Sequence, residues 1–405
     1  MLPLGEVVRP TRPRVKPSDF PDLPFIGMEH IEAHSMKLLG TVPAATMKSS
    51  AVHFKPGDVL YGRLRPYLNK VHRPKFEGLC SAEFIVLQEN ERLDGRYLQY
   101  FLNSSAFARY ASYLNADDRP RVDFEQLAPF EMPVPDVGEQ RRIVAEIEKQ
   151  FSRLDEAGAS IKRVKANLRR QRAAVLHAAV TGTLIGDDRC AEWVYATIGA
   201  VGQVISGLTK NPKRESLPRK VPYLRVANVY ANELRLDEIE YIGVADQELD
   251  KLLVRRGDLL IVEGNGSPDQ IGRVALWEGS IENCVHQNHL IKVRLGNRVT
   301  PQWALTWLLS PGGRHEIESV SSSTSGLHTL STGKVARLPI PVPPVPDQHR
   351  IVAEVDRRLS IVREVEAEVD ANLKRAQALR QAVLARAFSM STQGETIDTL
   401  LETST

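Results

Sequence analysis

Two stretches of this chain, 208 residues apart, have nearly the same sequence: PVPDVGEQRRIVAEIE at 133–148 and PVPPVPDQHRIVAEVD at 341–356. A fainter similarity precedes each stretch, for example where Pro56-Gly57-Asp58 corresponds to Arg256-Gly257-Asp258. Solenoid proteins repeat about every 20–50 residues, which is far shorter than this interval. The sequence therefore predicts two similar halves, each consisting of a globular domain followed by the repeated stretch.

Each repeated stretch opens a long segment that is typical of an α-helix. Both segments are rich in Ala, Glu, Arg, Leu and Gln, and they contain no proline beyond the first turn. Their apolar residues recur every seven positions, which predicts a left-handed coiled coil with a narrow seam. At 1.5 Å per residue, about 40 residues form a rod of ~60 Å. The predicted seam residues are Ile147, Leu154, Ile161, Leu168, Val175, Val355, Val362, Val369 and Val383.

The same heptads are also compatible with a coiled coil between separate chains. Two copies in one chain, each after a globular domain, instead favour a pair formed within the chain. If an approximate two-fold axis relates the halves, the two helices are antiparallel, with one globular domain at each end.

The globular parts are predicted to be mixed α/β (α+β). Short apolar runs, such as Phe84–Leu87 and Leu259–Val262, alternate with Gly, Pro and Asn, as in small, strongly bent β-sheets. We predict globular domains at 1–132 and 185–340, helical spacers at 133–184 and 341–390, and a short acidic tail at 391–405.

The composition is that of an ordinary globular protein. The chain has 405 residues, 53 Lys and Arg against 50 Asp and Glu, and a net charge of +3, so only the placement of charge can indicate a charged partner. No stretch has the ~20 consecutive apolar residues of a membrane span, and the first residues do not resemble a signal peptide. Three cysteines that are isolated in sequence favour a reducing cytoplasm.

The sequence lacks the motifs of several catalytic classes. It contains neither a P-loop nor His-Glu-x-x-His, and Gly264-Asn265-Gly266 is too short for a dinucleotide-binding fingerprint. The Asn/Asp-Pro-Pro-aromatic loop of amino-methyltransferases is also missing. His286 and His289 do not form a His-Glu-x-x-His or Cys-x-x-Cys type of motif, and we therefore favour hydrogen-bonded or DNA-facing histidines over metal ligands. These observations predict a binding protein without catalytic residues, metal or cofactor of its own.

Basic residues cluster once in each globular domain. Five Lys and Arg lie between Asp58 and Glu77 without an intervening acid, and a second cluster occupies residues 210–220. Basic loops that also contain Asn, Gln and Tyr contact phosphates and base edges, although a solvated surface loop has the same composition. The residues that we predict to contact DNA are Arg63, Arg65, Asn69, Lys70, Lys210, Lys213, Arg214, Asn265, Ser267, Gln287 and Asn288.

The order of these features resembles the specificity subunits of type I restriction–modification systems. The matching residues are Pro133, Pro135, Glu139, Gln140, Arg142, Ile143 and Val144, then Pro341, Pro343, Asp347, Gln348, Arg350, Ile351 and Val352. The resemblance implies that each globular domain is a target-recognition domain that reads one half of a bipartite DNA site. It also implies that the helices set the unread gap between the two halves.

The resemblance further implies the partners of this chain. They are double-stranded DNA, two modification (methyltransferase) subunits docked on the helices, and restriction subunits. The resemblance implies no association with a membrane. S-adenosylmethionine, ATP and Mg would be bound by those partner subunits and not by this chain. Two other hypotheses stay open: a non-catalytic coiled-coil DNA-binding adaptor outside restriction–modification, and a single-chain DNA methyltransferase or nuclease.

Overall fold

The structure, a computed structural model, describes residues 1–11, 14–114, 119–186, 192–265, 270–324 and 327–390. These residues form two compact units. The first unit combines Met1–Lys162 with the chain from Asp370 onward, and the second comprises Arg163–Val369. Each unit therefore contains one globular domain and one part of each long helix. The acidic tail predicted at 391–405 lies outside the described residues.

Two helices are much longer than the others. In chain order, the α-helices of the described residues are α1 (Leu4–Val7), α2 (Gly95–Leu102), α3 (Ser105–Tyr113), α4 (Phe124–Leu127), α5 (Val137–Val180), α6 (Ile198–Val201), α7 (Pro212–Glu215), α8 (Asp246–Leu252), α9 (Pro301–Leu309), α10 (Pro311–Val320), α11 (Thr332–Arg337) and α12 (Val345–Met390). The long helices α5 and α12 begin within the two repeated stretches. None of the helices in the described ranges combines the length and apolar character needed to cross a membrane.

The described residues of the first unit form two small sheets and one two-stranded pair. Its strands are β1 (Leu2–Pro3), β2 (Pro10–Thr11), β3 (Arg14–Val15), β4 (Pro24–Ile26), β5 (Val42–Pro43), β6 (Ala51–Phe54), β7 (Val59–Gly62), β8 (Val71–His72), β9 (Gly78–Ser81), β10 (Phe84–Leu87) and β11 (Glu131–Met132). One sheet is antiparallel, with the strand order β2-β10-β7-β8. The other has the order β3-β6-β9-β4-β5, in which β4 and β9 are parallel, and β1 pairs with β11.

The second unit repeats this plan. Its strands are β12 (Val194–Thr197), β13 (Gly202–Ser206), β14 (Lys220–Leu224), β15 (Val229–Tyr230), β16 (Glu233–Leu234), β17 (Glu240–Gly243), β18 (Leu259–Val262), β19 (Gly264–Asn265), β20 (Val274–Leu276), β21 (Val285–His286), β22 (Leu290–Leu295), β23 (Ser322–Thr324), β24 (Leu327–Thr329) and β25 (Pro339–Val342). The order β13-β22-β18-β20 corresponds to β2-β10-β7-β8. The parallel pair β14 and β21 corresponds to β4 and β9. The mixed fold with small sheets and a long helix pair is therefore confirmed.

The faint Gly-Asp repeat is a structural repeat. Gly57 and Gly257 have φ values of +97° and +95°, a backbone conformation that favours glycine. The buried carboxylate of the next residue closes each turn: Asp58 accepts a hydrogen bond from the Lys55 amide at 2.8 Å, and Asp258 accepts one from the Arg255 amide at 2.7 Å. Each turn leads directly into a central strand, β7 or β18.

The core of the first unit includes both long helices. Phe388, near the end of α12, packs edge to face against Tyr97 at 5.3 Å and Phe101 at 5.2 Å between ring centroids. Ile143 and Phe151 of α5 belong to the same buried cluster. The globular domain and its two helical segments therefore share one apolar core, which resists their separation.

The helices pair in an antiparallel manner within each unit. In the first unit, Arg380 of α12 forms an ion pair with Asp155 of α5, so the C-terminal part of one helix meets the N-terminal part of the other. In the second unit, Arg172 lies 3.7 Å from Glu366, with the helix ends exchanged. The predicted seam residues Ile147, Leu168, Val175, Val355, Val362 and Val369 are buried, whereas Leu154, Ile161 and Val383 are half-buried.

Candidate nucleic-acid interface

Three of the four residues predicted to contact DNA in the first domain are held by that domain. Arg63 forms an ion pair with Asp123. Asn69 is 3% exposed, and its amide donates to the Asn103 carbonyl at 2.8 Å. Lys70 donates to the Met28 carbonyl at 2.6 Å, and burial lowers the pKa of this lysine. Asn69 and Lys70 thus bind backbone carbonyls inside the fold and shape the loop, whereas the Arg63–Asp123 pair lies partly exposed.

Arg65 differs from these neighbours because its side chain is exposed. It has no ion-pair partner within the described part of the chain, and its backbone lies in the left-handed region with φ of +52°. Its amide donates to the Pro120 carbonyl at 2.8 Å, which brings the loop beside Arg119 and Arg121. Arg121 is 57% exposed while it contacts Glu83 at 2.6 Å. The sequence prediction missed these two arginines because they lie more than 50 residues from Arg65.

The basic cluster of the second domain is also largely paired. Lys210 lies 3.0 Å from Glu240, and Arg214 forms a two-pronged ion pair with Glu248 at 3.0 and 3.2 Å. Hydrogen bonds from these basic groups lower the pKa of both glutamates. Lys213 is exposed, and no ion pair involves it within the described ranges. It is therefore the most accessible of the three for a phosphate.

Three further predicted residues, Gln287, Asn288 and Asn265, lie in or beside strands. Gln287 uses its side-chain carbonyl to accept from the Val226 amide at 3.3 Å, whereas Asn288 is half-exposed and is anchored through its backbone amide to Leu208 at 2.9 Å. Asn265 pairs with His328 in the β19–β24 ladder. Ser267 lies outside the described residues.

The same edge is built in both domains. We call it the recognition edge; it comprises the residues just after β7 or β18, just before β10 or β22, and just before α4 or α11. In the first domain, the Arg63 amide donates to Glu83 at 2.9 Å, and the Arg63 carbonyl accepts from Val122 at 3.1 Å. In the second domain, Glu263 makes the equivalent bonds, donating to His289 at 2.9 Å and accepting from Leu330 at 2.7 Å. The backbone is thus equivalent in the two domains.

The side chains at the recognition edge differ between the domains. The first edge presents the Arg63–Asp123 and Arg121–Glu83 ion pairs. At the corresponding place, the second edge presents His289, 58% exposed and 3.0 Å from Glu263. Exposed Arg side chains bind phosphates and guanine edges, Asn binds adenine edges, and a carboxylate accepts from the cytosine amino group. The described residues include no group of three or more His, Cys, Asp or Glu arranged to hold a metal ion.

Comparisons with known proteins agree with this arrangement. The family model of the type I restriction modification DNA specificity domain matches residues 191–371. The EcoKI specificity subunit of Escherichia coli K12 is 26% identical over 327 residues, covering 78% of this chain and 69% of that protein. The StySPI specificity subunit of Salmonella potsdam is 26% identical over 324 residues, covering 77% and 68%.

The family model and these relatives bear out the resemblance to the specificity subunits of type I restriction–modification systems. The prediction of a DNA-recognition subunit rather than an enzyme is therefore confirmed. A solved structure from work on the assembly and conformational transition of a type I system covers 96% of both chains with a TM-score of 0.68. At 21% identity, this likeness shows that the specificity subunit shares its fold.

Proposed function

We propose that each globular domain of this specificity subunit reads one half of a bipartite, asymmetric DNA site, and that the helix pair sets the unread gap. The observation that carries this proposal is the recognition edge, which has equivalent backbone hydrogen bonds in both domains and different polar side chains. Two equivalent frameworks with different contacting groups suit two different base sequences, because base edges are distinguished by hydrogen-bond pattern.

We further propose that two modification subunits dock on the helices and that restriction subunits join the complex. Ile361 and Val365 support a protein partner here, because they lie one turn apart on α12 and are 55% and 39% exposed. In this proposal the modification subunits bind S-adenosylmethionine, the restriction subunits bind ATP and Mg, and this chain binds none of them. The complex would act on cellular DNA in the cytoplasm.

The test is to express the specificity subunit with its cognate modification subunit and to sequence the methylated bases of the host genome. We expect one motif with two short defined halves and a gap of fixed length. Cells with the modification subunit alone should lack that motif. A contiguous motif, or none, would contradict the proposal. Methylation or cutting by the purified specificity subunit alone would favour a single-chain enzyme instead.

A further inference from the structure

A buried glutamine occupies the same position in each repeated stretch. Gln140 is 0% exposed, and its side-chain amide group donates to the carbonyls of Arg92 and Pro135, both at 2.8 Å. Its side-chain oxygen accepts from the Asp94 amide at 2.9 Å. Both donor hydrogens and the acceptor oxygen of this side chain are thus used inside the first unit.

Gln348 makes the same set of bonds in the second unit. It is also 0% exposed, it donates to Arg298 and Pro343 at 2.9 Å, and it accepts from the Thr300 amide at 2.8 Å. Every partner is a backbone group, so the bonds do not depend on which side chains the domain carries at these positions. Buried polar groups that lose such partners are strongly disfavoured, which makes the geometry well defined.

These bonds join the globular domain to the start of the long helix. Asp94 and Thr300 are the N-cap residues of α2 and α9, whereas Pro135 and Pro343 lead into α5 and α12. An aromatic side chain of each domain also donates a hydrogen bond across the junction. The Tyr97 hydroxyl donates to Pro133 at 2.9 Å, and the Trp303 indole N–H donates to Pro341 at 2.8 Å. Three side-chain hydrogen bonds therefore hold each domain on its own helix, and the fourth, to Pro135 or Pro343, orders the start of that helix.

We propose that Gln140 and Gln348 are positioning residues that fix the orientation of each recognition domain on its helix and thereby restrict the DNA gap to one length. This inference rests on the proposed bipartite function. One extra base pair moves a half-site by about 3.4 Å and turns it by roughly 35° about the duplex axis. A recognition domain that tilts or swivels on its helix can follow that displacement, whereas a rigidly held domain cannot.

The experiment uses Gln140→Met and Gln348→Met, which keep the side-chain length but remove the hydrogen bonds. Each variant is expressed with the modification subunit, and methylation is measured on a plasmid library whose half-sites are separated by the normal gap or by gaps one or two base pairs longer or shorter. We expect the preference for the normal gap over its neighbours to fall about tenfold, with both half-sequences unchanged, since a tenfold ratio corresponds to only 1.4 kcal/mol.

Gln150→Met is the matched control, because the described contacts of the Gln150 side chain consist of one hydrogen bond to Glu146 on the same helix. It should leave the gap preference unchanged. If a glutamine variant does not fold, Tyr97→Phe decides the question, since it removes the hydroxyl bond across the first junction and keeps the aromatic ring. It should broaden the gap preference in the same direction. A folded variant that loses methylation equally at all gaps would show a merely structural role and overturn the inference. If the unmodified protein has no bipartite motif, the proposed function itself fails.

Discussion

His286 is a buried histidine that makes the second domain sensitive to acid. It is 0% exposed, its Nδ1 lies 2.9 Å from the Leu290 carbonyl, and Nε2 has no partner among the described residues. Burial, assisted by the charge of Lys292, lowers the pKa of His286 from 6.5 to about 4. The folded state therefore keeps this ring neutral in a pH range where the unfolded chain binds a proton.

The free energy of unfolding of the second domain should therefore fall as the pH drops from 6.5 towards 4. Between pH 7.5 and pH 5 we expect this group to contribute a loss on the order of 2 kcal/mol. All four tryptophans lie in the second unit, at positions 193, 277, 303 and 307, so their fluorescence during urea unfolding reports on that unit.

The control for this prediction comes from the first domain. Cys80 pairs with Ile26 in the parallel ladder of the first unit, and His286 pairs with Leu224 in the equivalent ladder of the second unit, so the two residues occupy corresponding positions. Between pH 7.5 and pH 5, the free energy of unfolding of His286→Cys should fall by about 2 kcal/mol less than that of the unmodified protein. Equal acid sensitivity in both proteins would contradict the assignment to His286.

Arg65 is the residue of the first recognition edge whose loss should most affect DNA binding without affecting the fold. Its side chain is exposed and unpaired within the described ranges, unlike those of Arg63 and Lys70. We expect Arg65→Ala to weaken binding of the cognate duplex by the complex with the modification subunit by about 5- to 100-fold, the 1–3 kcal/mol of a guanine contact. The melting temperature should stay unchanged.

Arg92→Ala is the matched control, because it removes the same charge from an exposed position beyond the other end of β10, near the helix junction. Its side chain is not used at the junction, where only the Arg92 carbonyl binds Gln140. Equal weakening by Arg92→Ala and Arg65→Ala would indicate a general charge effect and refute a specific contact at Arg65. Fluorescence anisotropy at several salt concentrations separates these outcomes.

At the scale of elements, the helix pair should determine the gap through its length. Deleting residues 158–164 of α5 together with residues 372–378 of α12 removes one heptad from each helix, and the Asp155–Arg380 and Arg172–Glu366 ion pairs remain. Seven residues correspond to about 10 Å of helix, or roughly three base pairs. Methylome sequencing should show a shorter gap, by at most about three base pairs, with both half-sequences unchanged.

Deleting residues 158–164 alone is the control for that experiment. The single deletion shifts α5 by seven residues relative to α12 on one side of the deletion. Either the Asp155–Arg380 or the Arg172–Glu366 ion pair must then break, and the seam residues on that side lose their partners. This variant should melt at a lower temperature and methylate poorly. A matched double deletion that leaves the gap unchanged would show that the helices do not measure it.

The long helices were predictable because their signal is local. Heptads and a proline-free stretch predicted spacers at 133–184 and 341–390, and the helices span Val137–Val180 and Val345–Met390. The recognition edge was not predictable in the same way. Asn69 becomes buried through Asn103, and Arg63 is paired through Asp123, 60 residues away. Partners this distant are brought together by sheet pairing, which a count of basic residues in one loop does not show.

At the scale of the whole molecule, the two domains are interchangeable in their framework. The Leu4 amide donates to Phe130 at 2.9 Å, and the Ile198 amide donates to Leu338 at 3.0 Å, so these pairs mark equivalent boundaries. Beyond them, the glutamine junction uses only backbone groups of the domain. A domain can therefore change its recognition edge without losing its attachment to the helix.

This equivalence permits a graft within the chain itself. In the graft, a second copy of residues 4–130 replaces residues 198–338. Arg92 and Asp94 of the copy then stand where Arg298 and Thr300 normally bind Gln348. The backbone groups of Arg92 and Asp94 already bind Gln140 in the same way in the first unit. Two identical domains on an antiparallel helix pair should read the same half-sequence on opposite strands. The methylated motif should become palindromic, with the original first half, its inverted complement and an unchanged gap. A motif that keeps the original second half, or that repeats the first half in direct orientation, would contradict the two-fold relation that the repeated sequence predicts.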